Sequence, residues 1–183
     1  MATPANRVPV RIARGTKANL DTAMAAADLK EGEICYAEDQ NALYVVESAT
    51  LTRTLGIEPR STVTQTTASI ADGAADDVTF SSTGKAGQFI KVTTDRAAWV
   101  TLYNTTAART ADSTRLETDD PTPGSGVLLE VITSAADTVQ ITPTSGYYND
   151  ESTPLSELYA KVVNKSGATS TVQVDIVLIP LEQ

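Results

Sequence analysis

Apolar and polar positions change period several times along the first fifty residues. Val8, Val10 and Ile12 alternate with Arg7, Pro9 and Arg11, which is the period of a half-buried strand, and Pro9, unable to donate to a ladder, predicts an edge. Gly15 ends that run. Thr16 stands where it can cap a helix through about Ala27, with Leu20, Met24 and Ala27 on one stripe. Leu29 to Glu33 reads as a turn, and Ile34–Ala37 and Ala42–Val46 as a hairpin reversing at Glu38-Asp39-Gln40-Asn41. The pattern predicts a small strand-helix-hairpin module over residues 1–48 and a linker over 49–61, with Pro59 restricting its end.

From residue 62 to 183 the chain turns to Thr, Ser, Val and Ala in short runs separated by Gly, Pro, Asp and Asn. Eight strands are predicted: 62–68, 77–81, 88–93, 98–103, 126–133, 138–142, 158–164 and 171–179. Val172, Val174, Ile176 and Leu178 mark an inward face of the last, and Leu158, Ala160 and Val162 that of the one before. The expected fold class is mainly β: the small N-terminal module followed by an antiparallel β-sandwich, jelly-roll or Ig-like. Residues 104–125 form the longest irregular stretch, of a length that in a compact domain is often functional or disordered.

Charge is distributed unevenly. The net charge is −9; residues 1–60 hold seven Lys/Arg against eight Asp/Glu, and residues 61–183 seven against fifteen. An acidic sandwich repels phosphate backbones and anionic headgroups, so neither nucleic acid nor a membrane is an expected partner. The N-terminus has no apolar core of a signal peptide and no apolar run approaches the roughly 18 residues of a membrane span, so synthesis in a cytoplasm as a soluble chain is expected. The single cysteine, Cys35, sits in the apolar run Ile34-Cys35-Tyr36 and reads as a buried, inert thiol.

The chain has no histidine. That removes the usual general base, the activator of Ser and Cys nucleophiles and the commonest zinc ligand, and with them the Ser-His-Asp and Cys-His hydrolases. Glycoside hydrolysis needs only two carboxylates, for which Asp119, Asp120, Asp150 and Glu151 are candidates, but these lie in polar loops with one Trp and two Phe in the whole chain to build a sugar cleft. Asp72, Asp76, Asp77, Asp119, Asp120, Asp150 and Glu151 could offer oxygen to calcium, though without EF-hand spacing, and acidic loops are usually only solvated. The glycine-bearing stretches 82–87 and 123–126 fit no phosphate loop and read as turns. The expectation is a chain with no catalytic, cofactor or metal site. Trp99, Tyr147 and Tyr148 are candidates for exposed recognition; Trp99 packed under a loop, and the tyrosines covering a sandwich end, are the alternatives.

Val8-Pro9-Val10-Arg11-Ile12-Ala13-Arg14-Gly15-Thr16, followed by Leu29, Gly32-Glu33-Ile34, Tyr36, Asp39 and Leu43-Tyr44-Val45, resembles the N-terminal docking segment of phage tail-fibre and tropism-determinant proteins. The helix lacks the Trp frequent there, and Val46-Glu47-Ser48 replaces the usual Gly-Asp-Gly. Ala98 to Tyr103, Arg109-Thr110-Ala111-Asp112 and residues 123–130 look like parts of virion structural proteins of marine and cyanobacterial phages. These resemblances imply a non-catalytic component of the virion surface, a capsid decoration or short appendage, assembled as a homotrimer against other capsid or tail proteins. Val8, Val10, Ile12, Leu20, Ile34, Leu43 and Val45 are the expected docking and oligomer interface. A short tail fibre with a tip for host glycan is the second expectation, and a free carbohydrate-binding module or glycoside hydrolase the third.

Overall fold

The first unit spans residues 1–57 and the second 58–183. The computed structural model describes residues 12–47, 50–55 and 60–182, with 50–55 described by backbone alone.

In the first unit, β1 (Ala13–Gly15) leads through α1 (Lys17–Ala25) to β2 (Ile34–Ala37), which hairpins into β3 (Ala42–Glu47) and then β4 (Thr50–Leu55). The sheet order is β1-β2-β3-β4, with β1 parallel to β2 because a helix separates them and the remaining pairs antiparallel. Thr16 caps α1 by accepting from the Asn19 amide. The acidic hairpin turn supports the same end of the helix, since Asp39 Oδ1 accepts from the Lys17 amide at 2.8 Å. Gly15 ends β1 by giving its carbonyl to the Glu38 amide.

Helix α1 clothes one face of this sheet, where Leu20 packs with Cys35, Ala37, Ala42, Tyr44 and Val46. Strand alternation sends the neighbours of these residues to the other face. Leu20 is therefore core, whereas Ile34, paired across the ladder with Val45, and Leu43, paired with Tyr36, are not part of the helix-covered core. Ile12 and Ile34 are 40% and 43% exposed. One other expectation changes. Residues 49–61, read as linker, contain β4 paired along β3; the strand expected at 7–12, with Val8 and Val10, lies outside the described residues except for Ile12.

The second unit has β5 (Ser61–Thr66), β6 (Ala75–Ser81), β7 (Ala86–Thr94), β8 (Ala98–Tyr103), α2 (Thr106–Ala111), β9 (Val127–Thr133), β10 (Asp137–Tyr148), β11 (Glu157–Asn164) and β12 (Gln173–Glu182). Two four-stranded sheets form, β10-β7-β12-β5 and β6-β11-β8-β9, every pair antiparallel. Within them β5 pairs β12, β6 pairs β11, β7 pairs β10 and β8 pairs β9, so first meets last and the middle two meet each other. A long four-rung ribbon wrapped on itself has this order, which makes the sandwich a jelly roll rather than an Ig fold.

Its core is made by alternate residues of both sheets, including Phe80, Phe89, Val92, Leu102, Leu158, Val162, Ile176 and Leu178. At roughly 1.5–3 kcal/mol for each large apolar side chain fully buried, this core sustains a domain of its own. The six buried side chains of the first unit's cluster among the described residues give much less.

Candidate functional site

Residues 104–125 hold more structure than their composition suggests. Thr105 caps α2 by accepting from the Ala108 amide, and Glu151 accepts from both the amide and hydroxyl of Thr106 at 2.8 Å, which holds the Glu151 carboxyl below its usual range. The segment then crosses the outer face of the β6-β11-β8-β9 sheet as a strap. Arg115 donates to Asp112 at 2.9 Å and to Glu130 at 2.6 Å, Tyr103 donates to Asp112 at 2.7 Å, and Arg109 pairs with Asp77 at 3.2 Å. Burial pushes the Tyr103 hydroxyl well up, and the hydrogen bond to Asp112 adds to this. Burial works against the Arg115 guanidinium, but Glu130 and Asp112 outweigh it and raise it.

Trp99 lies beneath this strap. Its ring carries the Arg115 guanidinium at 5.1 Å and the Lys161 ammonium at 4.7 Å, and it is 4% exposed. The expectation that Trp99 is exposed for recognition is therefore corrected: β8 is buried on both faces, by the core on one and by the strap on the other. Tyr147 is corrected as well. It pairs across from Gly87, where a Cβ would collide with the phenol, so its ring folds over the glycine into the core, 4.8 Å from Phe89. The Tyr147 hydroxyl donates to the Thr83 carbonyl, and burial raises its pKa. Both tyrosines belong to β10, which extends well past the strand predicted over 138–142.

Tyr148, one residue further, points the other way and is 51% exposed. It stands at the rim of a cleft of about 380 Å³ bounded by the ends of β8 and β10 and by residues 121–128. Asn104, directly after β8, lines this cleft and is 6% exposed; its main chain is tied to Gly126 and Asp150, while its carboxamide has no hydrogen bond among the described residues and keeps contact with solvent. Gly126, at φ +84°, makes room for it, since a Cβ there would sit 2.4 Å from Asn104 Oδ1. Asp150 supplies a carboxylate to the same cleft. No family model matches the chain, and no curated protein matches it. The cleft thus has to be read from its own chemistry: one exposed ring, one carboxylate and one carboxamide, with no Lys or Arg among the described lining residues.

The other acidic residues of the sequence analysis mostly serve backbone. Asp72 accepts from the Gly167 amide and Asp76 from the Ala68 amide, while Asp77 pairs with Arg109. Among the described residues no group of three His, Cys, Asp or Glu is placed to hold a metal ion. Cys35 is fully buried, and burial, with the neighbouring Glu33, pushes its thiol up. Asn104 escaped the sequence reading because an Asn after a strand usually signals a turn. Arg115 and Lys161 escaped because partners 15 and 49 residues away leave no local pattern.

Proposed function

We propose that this chain is a non-catalytic structural component on the surface of a phage particle, a capsid decoration or short appendage, acting as a homotrimer and docking through its N-terminal unit. The observation that carries the reading is the half-clothed sheet of that unit. Helix α1 covers one face, while Ile12 and Ile34 are exposed and Tyr36, Leu43 and Val45 are only half-buried on the other strands' alternate positions. A module of this size gains the burial it lacks by meeting copies of itself or a partner protein. The N-terminal resemblance to phage docking segments supports the same reading, and jelly rolls recur in viral capsid proteins and in lectins, a likeness of fold alone.

Light scattering of the full chain at micromolar concentration tests the oligomer. A mass three times the 19.3 kDa of one chain is expected, falling to that of a monomer in Ile34→Glu. A monomeric wild-type chain would contradict the reading. The second reading, a short tail fibre with a host-binding tip, is favoured by the cleft beside Tyr148.

A further inference from the structure

We infer that the cleft bounded by Tyr148, Asn104 and Asp150 is a binding site for a neutral pyranose, such as a terminal hexose of a surface glycan. The site lies wholly within the second unit, so the inference goes beyond the particle-component proposal and does not depend on it. Three observations on different elements converge.

The first is the carboxamide of Asn104. Asn104 is 6% exposed as a residue, but its carboxamide atoms keep contact with solvent rather than being sealed in the core. The carboxamide has no protein partner among the described residues and Asn104 lines the cleft, so one donor group and one acceptor are open to a ligand.

The second is Tyr148, whose ring is half exposed beside that carboxamide although its strand neighbour Tyr147 is locked in the core. An aromatic face takes the apolar C–H face of a sugar ring, while Asp150 accepts from hydroxyls at the ring edge and Asn104 both donates and accepts. At about 380 Å³ the cleft lies toward the small end of ligand sites, suited to one ring and the start of a second.

The third is rigidity. Asn104 donates its amide to the Gly126 carbonyl, and the Asp150 amide donates back to the Asn104 carbonyl, both at 3.0 Å. Asn149 fixes the loop beyond through its Oδ1, which accepts from the Glu151 and Leu155 amides. Ordering such a site on binding costs little, which is what a weak, small ligand requires. The carboxylate and the absence of lining cations set the ligand's charge: a uronic or sialic acid would bring a second negative charge to Asp150 within an acidic domain.

Saturation-transfer NMR of the full chain tests this, with the methyl glycosides of glucose, galactose, mannose and N-acetylglucosamine as probes at about 10 mM, and glucuronate and N-acetylneuraminate as anionic controls. Transfer into the ring protons of at least one neutral glycoside is expected, with affinity about tenfold lower in Tyr148→Ala and in Asn104→Ala at unchanged thermal midpoint. Should Asn104→Ala fail to fold, Tyr148→Ala decides alone, since that side chain is at the surface. No neutral glycoside bound, equal binding by Tyr148→Ala, or preference for the anionic sugars would each overturn the inference. The oligomeric state, read separately, reports on the particle-component proposal.

Discussion

The ammonium of Lys161, 3% exposed on β11, donates to the main-chain carbonyl of Asp112 at 2.7 Å and so ties the strap to the sheet. Burial lowers its pKa, with the Asp112 charge opposing, as expected of a cation kept under cover for its contacts. In Lys161→Ala the Asp112 carbonyl keeps only the longer bond from the Arg115 amide, at 3.2 Å, and Trp99 loses one of its two covering cations. A stability loss of about 2 kcal/mol in urea is expected, together with a red shift of the single tryptophan's emission. An unshifted emission maximum would show that the strap does not need this tie.

Stability should decline at high pH for a reason that can be assigned. Burial, with the Asp112 hydrogen bond second, raises Tyr103, and burial raises Tyr147. In the folded chain both hydroxyls keep their protons after the unfolded chain has begun to release them, so above pH 10 the unfolded state binds fewer protons and folding weakens as pH rises. Tyr103→Phe should lose about 1 kcal/mol at neutral pH, through its hydrogen bond to Asp112, and show a shallower alkaline decline. Lys161 acts with the opposite sign below its ordinary 10.5, so the informative comparison is of this variant with the parent, by chemical denaturation from pH 8 to pH 11. Parallel curves would remove Tyr103 from the explanation.

Two glycines separate backbone strain from crowding. Gly124 and Gly126 have φ of +79° and +84°, but a Cβ on Gly124 meets nothing within 4 Å, whereas one on Gly126 would meet Asn104 Oδ1 at 2.4 Å and Ala108 Cβ at 2.6 Å. Gly124→Ala should cost about 1 kcal/mol, the left-handed penalty alone. Gly126→Ala should cost clearly more, as Asn104 or α2 must move. Thermal melts of the pair check this, and equal losses would mean the loop yields freely.

Cys35 reports on the first unit by itself. Buried against Leu20 and Tyr44, with its pKa raised by burial, the thiol should react with a disulfide reagent about a hundredfold more slowly in the native chain than in denaturant at the same pH. Leu20→Ala, which removes the helix's one fully buried side chain, should bring the native rate toward the denatured one. Fast labelling of the parent chain would mean that this unit opens readily.

The fold was largely legible in the sequence because its strands alternate cleanly. Val172 to Leu178 and Leu158 to Val162 show their inward faces directly, and Thr16, Asp39 and Asn41 mark the cap and turn of the first unit. The site was less legible. Neither Trp99 nor Tyr147 carries a local sign of burial in the sequence, and what buries them is remote: Arg115 and Lys161 for one, Gly87 and Thr83 for the other. Periodicity could not register β4 either, since Thr50 to Leu55 mixes polar and apolar residues and gains strand form from its pairing with β3.

Mass spectrometry and immunolabelling of gradient-purified particles, produced from the genome that encodes the chain, most directly test whether it is part of a virion. The chain should band with the particles at a fixed stoichiometry in multiples of three and label their surface. Its absence from the particles, with the protein recovered free and monomeric, would contradict the proposal.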